Sequence, residues 1–504
     1  FLIPSVSNQK KKRSIDAGTS GMQFKKRRVA TEEEEAIVGK GSFGKVMRTG
    51  TINGEPVVTK IFLDQGNLLF YSSAFIREIM VYNMQRRMGR NYCPRYYRIC
   101  LQPEHQSITL PHLKATLGSY QFPDTEAILH VIKIIFNKLA LLHEDGMLHR
   151  DLKPENIMVQ DEGFLNAYLI DFGASVVTLN PHKKYSLSNT ETTYIFLHPA
   201  LADPDLPGHV VPMDGLIDLF SLVVIWAYLI KHPLYDRLSS DVVSLQDVQP
   251  FWERAENQVD ALVEETTQLT SLSSEHQSYW YNLLKYCLAP EFKWDIPFLS
   301  TYGYKWCSTS MYSKQTVVRM REPHVSQPRA PMYHHRGKIM NFFVKYSFGM
   351  GLSTSHVARA FYLYDTVGME SCSFNTTRFD NGVMFYCCFM VCSTLFGSSL
   401  CPDDLYEAFI HEWCQTTARF AKKYIENVMC QICNYCHYHF YPTCVFDHFE
   451  EPDPEKRRLY MQVELELLLN KCVPYLNIVD RRRLVDKVYQ DALVRNEPKL
   501  KIVL

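Results

Sequence analysis

Asp151 lies within His149-Arg150-Asp151-Leu152-Lys153-Pro154-Glu155-Asn156, and Asp171-Phe172-Gly173 begins fifteen residues after Asn156. Phosphoryl transfer asks little covalent chemistry of a protein and much positioning and charge neutralisation, and these residues could supply it. Asp151 offers a base, while Asn156 and Asp171 offer oxygen ligands for metal ions. Singly, His-Arg-Asp is usually a solvated loop and Asp-Phe-Gly usually a turn, so the reading depends on what lies upstream to hold a nucleotide.

Gly39-Lys40-Gly41-Ser42-Phe43-Gly44-Lys45-Val46 supplies the first such element. Glycines without a Cβ let backbone amides approach phosphates closely. Ala36 to Val38 reads as a strand entering this loop and Lys45 to Thr49 as a strand leaving it. Asn53-Gly54 then marks a tight hairpin turn into a third strand, Pro56 to Phe62, which carries Lys60. An ammonium at Lys60 needs a carboxylate to hold it, and Phe75 to Met80 presents Glu78 within a helical pattern.

In this order and spacing the motifs resemble the eukaryotic-type Ser/Thr protein kinases. Ala74-Phe75-Ile76-Arg77-Glu78-Ile79 is similar to the regulatory helix of the cyclin-dependent members. The resemblance implies an α+β bilobal fold over residues 32–302, with a small β-rich N-lobe and a helical C-lobe, and ATP and Mg2+ as cofactors. It implies that Lys60 holds the phosphates and Glu78 holds Lys60. Asp151 then accepts or orients the substrate hydroxyl proton, Lys153 steadies the transferred phosphate, and Asn156 and Asp171 bind magnesium. The nucleotide pocket is expected to use Gly39, Lys40, Gly41, Ser42, Phe43, Gly44, Val46, Val58, Lys60, Leu110 and Leu113. Val58 stands where the family has a smaller residue, so a slightly tighter pocket is expected.

Thr193 to Ala200 resembles the end of an activation segment, with Thr193 expected to touch both Asp151 and Lys153. Asp218-Leu219-Phe220-Ser221 resembles the start of the central helix whose aspartate anchors the catalytic loop. Ala200 replaces the family's glutamate, and near Glu291 to Asp295 its arginine partner is missing as well. Losing both halves of a buried pair avoids an uncompensated charge. Packing of Phe196 and Leu197 is expected to hold the segment instead. Ser188 or Thr190 could be phosphorylated and meet Arg150 and Arg77, but Val176 occupies the position of the family's third arginine.

The chain has 504 residues, 46% of them apolar, with 54 basic and 54 acidic side chains. This balance argues against broad nucleic-acid binding. Residues 1–31 read as a disordered tail in which Lys10 to Arg13 and Lys25 to Arg28, eleven residues apart, resemble a bipartite nuclear localisation signal. A nuclear import receptor and a nuclear location are therefore expected, the nucleus of a host if the chain is viral. The apolar runs Leu219 to Ile230 and Phe385 to Leu400 fall short of the roughly 20 residues of a spanning helix, so no membrane is expected. The chain starts at Phe1 and reads as a possible fragment, without a signal peptide's pattern. Its fifteen cysteines read as core thiols of a reducing compartment.

Residues 303–333 read as a linker and 334–504 as an all-α domain. Arg336 to Tyr346, Ser355 to Val367, Asn381 to Ser398, Pro402 to Trp413 and Thr416 to Cys436 all carry helical periodicity. These runs resemble a cyclin box, although Ser399 and Val428, with Glu426 nearby, replace the lysine and glutamate that grip the kinase in that family. Cys430, Cys433, Cys436, His437, His439 and Cys444 could bind zinc, but their spacing favours a buried helix seam. The combined expectation is a kinase acting on protein substrates, activated in cis by contact with a cyclin-like domain. The alternatives are an active kinase with a substrate- or scaffold-binding tail, and a pseudokinase scaffold.

Overall fold

A computed structural model describes residues 37–41, 44–62, 73–100, 106–161, 164–177, 184–186, 193–199, 210–212, 215–256, 336–349, 355–370, 378–395 and 402–413. It adds positions 284 and 287 and isolated helical positions between 424 and 490. The basic segment 1–31, the linker 303–333, Ser42, Phe43, Ser188, Thr190, Ala200, Glu291 to Asp295, Ser399, Glu426 and the candidate zinc set from Cys430 to Cys444 lie outside the described residues.

Strands β1 (Ile37–Gly41), β2 (Gly44–Ile52), β3 (Glu55–Phe62), β4 (Arg98–Cys100) and β5 (Ser107–Pro111) form one antiparallel sheet in the order β1-β2-β3-β5-β4. The β2–β3 turn is the predicted Asn53-Gly54, with φ of 53° and 84°, the two positive values that match a hairpin's twist. Gly44 is required by close approach: a Cβ there would lie 2.2 Å from the Ile61 carbonyl oxygen.

Helix α1 (Ser73–Met88) follows β3 and is buried almost all round, with Phe75, Ile76, Ile79, Met80 and Tyr82 in the core. Its sequence is not apolar enough to explain this by itself, since Glu78, Asn83 and Gln85 are buried too. Gln85 Oε1 accepts from the Cys93 amide at 2.6 Å and Asn83 Oδ1 from the Tyr96 hydroxyl at 3.3 Å, while Glu78 Oε1 and Asn83 Nδ2 are buried unpaired among the described residues.

After β6 (Ala115–Thr116), helix α2 (Thr125–Glu144) is started by Asp124, whose side chain accepts from the Ala127 amide at 2.8 Å. Ile128, Leu129, Val131, Ile132, Ile135, Phe136, Leu139 and Leu142 recur at helical spacing and fill the C-lobe core. Strands β7 (Met147–Leu148), β8 (Ile157–Asp161), β9 (Leu165–Leu169) and β10 (Val176–Val177) frame the segment 149–173, with β7 paired to β10 and β8 to β6 and β9. Further on, β11 (Lys184–Ser186) pairs with β12 (Val210–Pro212). Helix α3 (Leu216–Leu229) runs through the core, and α4 (Pro233–Asp241) and α5 (Leu245–Glu256) pack after it. Among the described residues, no single helix is long and apolar enough to cross a membrane.

In the tail, helices α6 (Arg336–Gly349), α7 (Ser355–Glu370), α8 (Arg378–Leu395) and α9 (Pro402–Trp413) appear where periodicity places them. Helix α8 starts before the expected Asn381, at Arg378, and the expected end at Ser398 lies outside the described residues. Phe343 packs on Phe385 and Phe389 at ring separations of 4.7 and 4.9 Å, and Phe361 on Phe385 at 4.3 Å. Within this apolar centre Arg336 and Asp365 form a two-pronged buried pair, and Arg336 Nε donates to the Leu468 carbonyl at 2.6 Å.

Candidate active site

Side-chain alternation puts Lys60 and Val58 on the same face of β3. Register adds their cross-strand partners, Val46 opposite Lys60 on β2 and Leu110 opposite Val58 on β5. Four of the residues expected to surround a nucleotide thus share one face of the sheet. Gly39 pairs with Val46 and Gly41 with Gly44 at the adjoining edge, Lys40 lies between them on β1, and Leu113 lies just beyond β5, half-buried.

Lys60 Nζ is 2.6 Å from Glu78 Oε2 and 2.6 Å from Asp171 Oδ1. The first contact is the expected one; the second adds a carboxylate that spacing alone did not assign to Lys60. Burial opposes the charge on Lys60, but Asp171 and Glu78 outweigh it and hold the ammonium well above the ordinary lysine range. Burial pushes the Glu78 carboxyl up to about 7, with Lys60 pulling the other way. Asp171 is also opposed by burial, yet Lys60 keeps it below the usual carboxylate range. The two acids therefore play unequal parts, with Asp171 the firmly ionised one.

Asp171 has a left-handed backbone, φ 62°, which turns its carboxylate toward Lys60 while Phe172 goes under α1. Phe172 is fully buried, edge-on to Tyr82 at 6.0 Å and tilted against the His149 ring at 5.0 Å. His149 Nε2 lies 2.9 Å from the Ile170 carbonyl oxygen, joining the catalytic loop to the Asp-Phe-Gly turn.

Asp151 is gripped from two sides. Asn156 Nδ2 donates to its backbone carbonyl at 2.7 Å and to Oδ2 at 2.9 Å, and Lys153 Nζ reaches Oδ2 at 2.9 Å. Lys153 also donates to Thr193 Oγ1 at 3.3 Å. Thr193 was expected to touch Asp151 as well; its hydroxyl reaches that carboxylate by way of the Lys153 ammonium.

Beneath the loop, Asp218 is fully buried and accepts from the backbone amides of His149 and Arg150, both at 2.8 Å, with His143 Nε2 2.9 Å away. Burial opposes its ionisation, but His143 and these amides bring its carboxyl below the usual range. His143 was not anticipated, because it lies on α2 and nothing in its local sequence links it to Asp218. The segment end packs as expected: Phe196 and Leu197 are buried, and Ser221 Oγ donates to the Phe196 carbonyl at 2.8 Å.

A protein kinase domain family model matches residues 32–293, just over half of the chain. The chain belongs to the protein kinase family. It is similar to the serine/threonine-protein kinase greatwall of Mus musculus, 32% identical over 111 residues, 22% of this chain and 12% of that protein. It is also similar to an Aurora kinase of Eremothecium gossypii, 30% identical over 172 residues, 32% of this chain and 45% of that one. A probable serine/threonine-protein kinase of Dictyostelium discoideum is 26% identical over 204 residues, 38% of this chain and 31% of that protein. The chain thus spans less than half the length of each of these three relatives.

The kinase domain's residues fit the cofactors its family uses. No group of three or more His, Cys, Asp or Glu side chains forms a metal site among the described residues. Asn156 and Asp171 provide one amide oxygen and one carboxylate, the sparse set that suits magnesium, which keeps waters and arrives with phosphate oxygens. The buried Lys60 ammonium is consistent with a phosphate-bearing ligand under the loop.

The two arginines offered for a phosphate nest lie close enough to repel each other, and Ser188 and Thr190 lie outside the described residues. Arg77 Nε donates to the Thr394 carbonyl at 3.0 Å and Nη1 to the Gly173 carbonyl at 3.2 Å. Arg150 is buried with Nε and Nη2 unpaired, and burial, followed by the like charge of Arg77, pushes it down to about 9. Arg77 is therefore engaged by the tail as well as by the Asp-Phe-Gly turn, a role no local motif announced.

Proposed function

We propose that the chain phosphorylates serine and threonine in protein substrates, using ATP and Mg2+, and that its helical C-terminal region acts as a cyclin-like domain that supports the active arrangement in cis. The observation that carries the first part is the chain of contacts from Asp151 through Lys153 to Thr193, beside the Lys60–Glu78 pair. Bound ATP with magnesium supplies the phosphoryl group and neutralises its charge. Asp151 takes up or orients the proton of the substrate hydroxyl as the hydroxyl oxygen bonds to the γ-phosphorus and the bond from that phosphorus to the leaving ADP breaks. Lys153 offsets negative charge next to that carboxylate, and Lys60, pinned by Glu78, orients the nucleotide's phosphates. Intact Asp151, Lys60, Asn156 and Asp171 argue against a pseudokinase scaffold.

The second part is supported by packing of α8 against α1 and by the Arg77 contact to Thr394. Covalent linkage makes docking intramolecular, with an effective concentration on the order of millimolar where the linker spans the distance. Val428, at the position of the family's gripping glutamate, is buried within the tail, so the contact described here uses the end of α8 instead. That departure favours a second reading, in which the tail also binds a substrate or scaffold. Import into a nucleus through Lys10 to Arg13 and Lys25 to Arg28 completes the proposal.

Incubation with labelled ATP, Mg2+ and a mixed Ser, Thr and Tyr peptide library tests the activity: label on Ser and Thr is expected, and label confined to Tyr overturns the assignment. A chain ending at Tyr302 that folds and works as fast as the full one overturns activation in cis.

A further inference from the structure

Thr394 and Leu395 stand at the end of the described part of helix α8, and the Thr394 carbonyl is met by Arg77 Nε at 3.0 Å. The same guanidinium reaches the Gly173 carbonyl at 3.2 Å through Nη1. Arg77 immediately precedes Glu78, the partner of Lys60. One side chain thus ties the end of a tail helix to the Asp-Phe-Gly turn from the helix that holds Glu78.

Leu395 lies beside this contact in a small cleft between α1 and the β7–β10 pair, lined by Met80, Val81, Met147, Val176 and Val177. Val176 is what makes that wall apolar. An arginine there would add a third cation beside Arg77 and Arg150, whereas valine offers a surface that an aliphatic side chain can cover. Arg150, buried nearby with two unpaired nitrogens, has no comparable carbonyl among the described residues.

We propose that the Thr394 carbonyl and the Leu395 side chain form a latch that fixes Arg77, and through it Gly173 and the Glu78 helix, in place of an anion delivered by the activation segment. Arg77 is then a positioning residue, and the latch makes turnover insensitive to phosphorylation at Ser188 or Thr190. The inference rests on the cis reading above and specifies the atoms through which it works.

The test uses the full chain, with turnover of labelled ATP onto a Ser/Thr peptide library as the readout. Leu395→Lys places a third cation against Arg77 and Arg150 and is expected to lower kcat about tenfold to a hundredfold. Amide exchange at 171–173 and along α1 rises, and the KM for peptide stays near that of the parent chain. Arg77→Lys keeps the charge but not the two-carbonyl reach, and lowers kcat in the same direction without the folding risk of a charged cleft. Ser188→Ala combined with Thr190→Ala changes kcat by less than about twofold. The proposal is overturned if Arg77→Lys and Leu395→Lys, each folded by thermal melt, keep the parental rate. It is also overturned if the Ser188/Thr190 double variant loses as much as they do. A protease site placed in 303–333 and cut in the purified chain separates the two levels. If cutting abolishes turnover while the latch variants do not, tail activation survives and the latch fails; if neither matters, the cis reading fails too.

Discussion

Asp218 and Arg150 are neighbours under the same loop and are treated oppositely by the fold. Asp218 receives two backbone amides and the His143 ring, so a buried carboxylate is supplied with donors on both oxygens. Arg150, held at φ 68°, leaves Nε and Nη2 buried without partners. The first is the foundation of the chemistry, and it is complete. The second, among the described residues, has no hydrogen-bond partner for those two nitrogens, while Arg77 beside it is engaged by the tail. Buried polar groups cost most when unmatched, so the two side chains should answer oppositely to substitution.

The sharpest way to break this comparison is at the reacting carboxylate. Asp151→Asn should lower kcat by about 10²- to 10⁴-fold, with the melting temperature little changed, because the amide keeps the shape but not the base. Near-parental turnover would remove Asp151 from its assigned role.

Asp218→Ala should come next, destabilising the folded kinase domain by about 3–5 kcal/mol in denaturant titrations, since it strands two buried amides and the His143 ring. Arg150→Met removes an unmatched buried charge and should leave stability unchanged or raise it by about 1 kcal/mol. Equal losses from the two substitutions would erase the contrast between the matched and unmatched sites.

Glu78 gives a pH test in which stability and activity move apart. Its folded-state carboxyl is pushed up to about 7 from an ordinary 4.5, chiefly by burial. At pH values between these the folded chain holds a proton that the unfolded chain has released, so this group's contribution to stability falls as pH rises through that window. Activity follows the opposite course, because only ionised Glu78 holds Lys60 as a charge pair. Turnover should rise about tenfold between pH 6 and pH 8, and Glu78→Gln should be slower and lose that limb of the profile.

The smallest effect is expected at Asp145, buried at the end of α2 with Oδ1 3.4 Å from Arg90 Nε and Oδ2 unpaired. Burial pushes its carboxyl up to about 7 against the pull of Arg90. Its contribution to stability likewise falls as pH rises from about 4 to 7, and Asp145→Asn should flatten that part of the stability curve. A curve unchanged by the substitution would show that Asp145 is ionised throughout.

Much of the site was readable before any fold was known, because its parts are local. The Asn53-Gly54 turn, the Lys60 strand and the loop from His149 to Asn156 each carry their geometry in consecutive residues. Even the Lys60–Glu78 pair followed from one helix after one strand. The sequence could not show that Lys60 also meets Asp171, that His143 braces Asp218, or that Thr193 reaches Asp151 by way of Lys153. Those contacts depend on side-chain directions across separate elements.

The residue types and spacing of this chain determined its family, its candidate reacting groups and the helical character of its tail, because chemistry and periodicity are written over short stretches. The tertiary structure decided where Arg77 points. Thr394 is more than three hundred residues away and contributes a backbone carbonyl, a group that every residue possesses and no sequence motif marks. Only the fold brings that carbonyl to Arg77, with Leu395 set beside Val176.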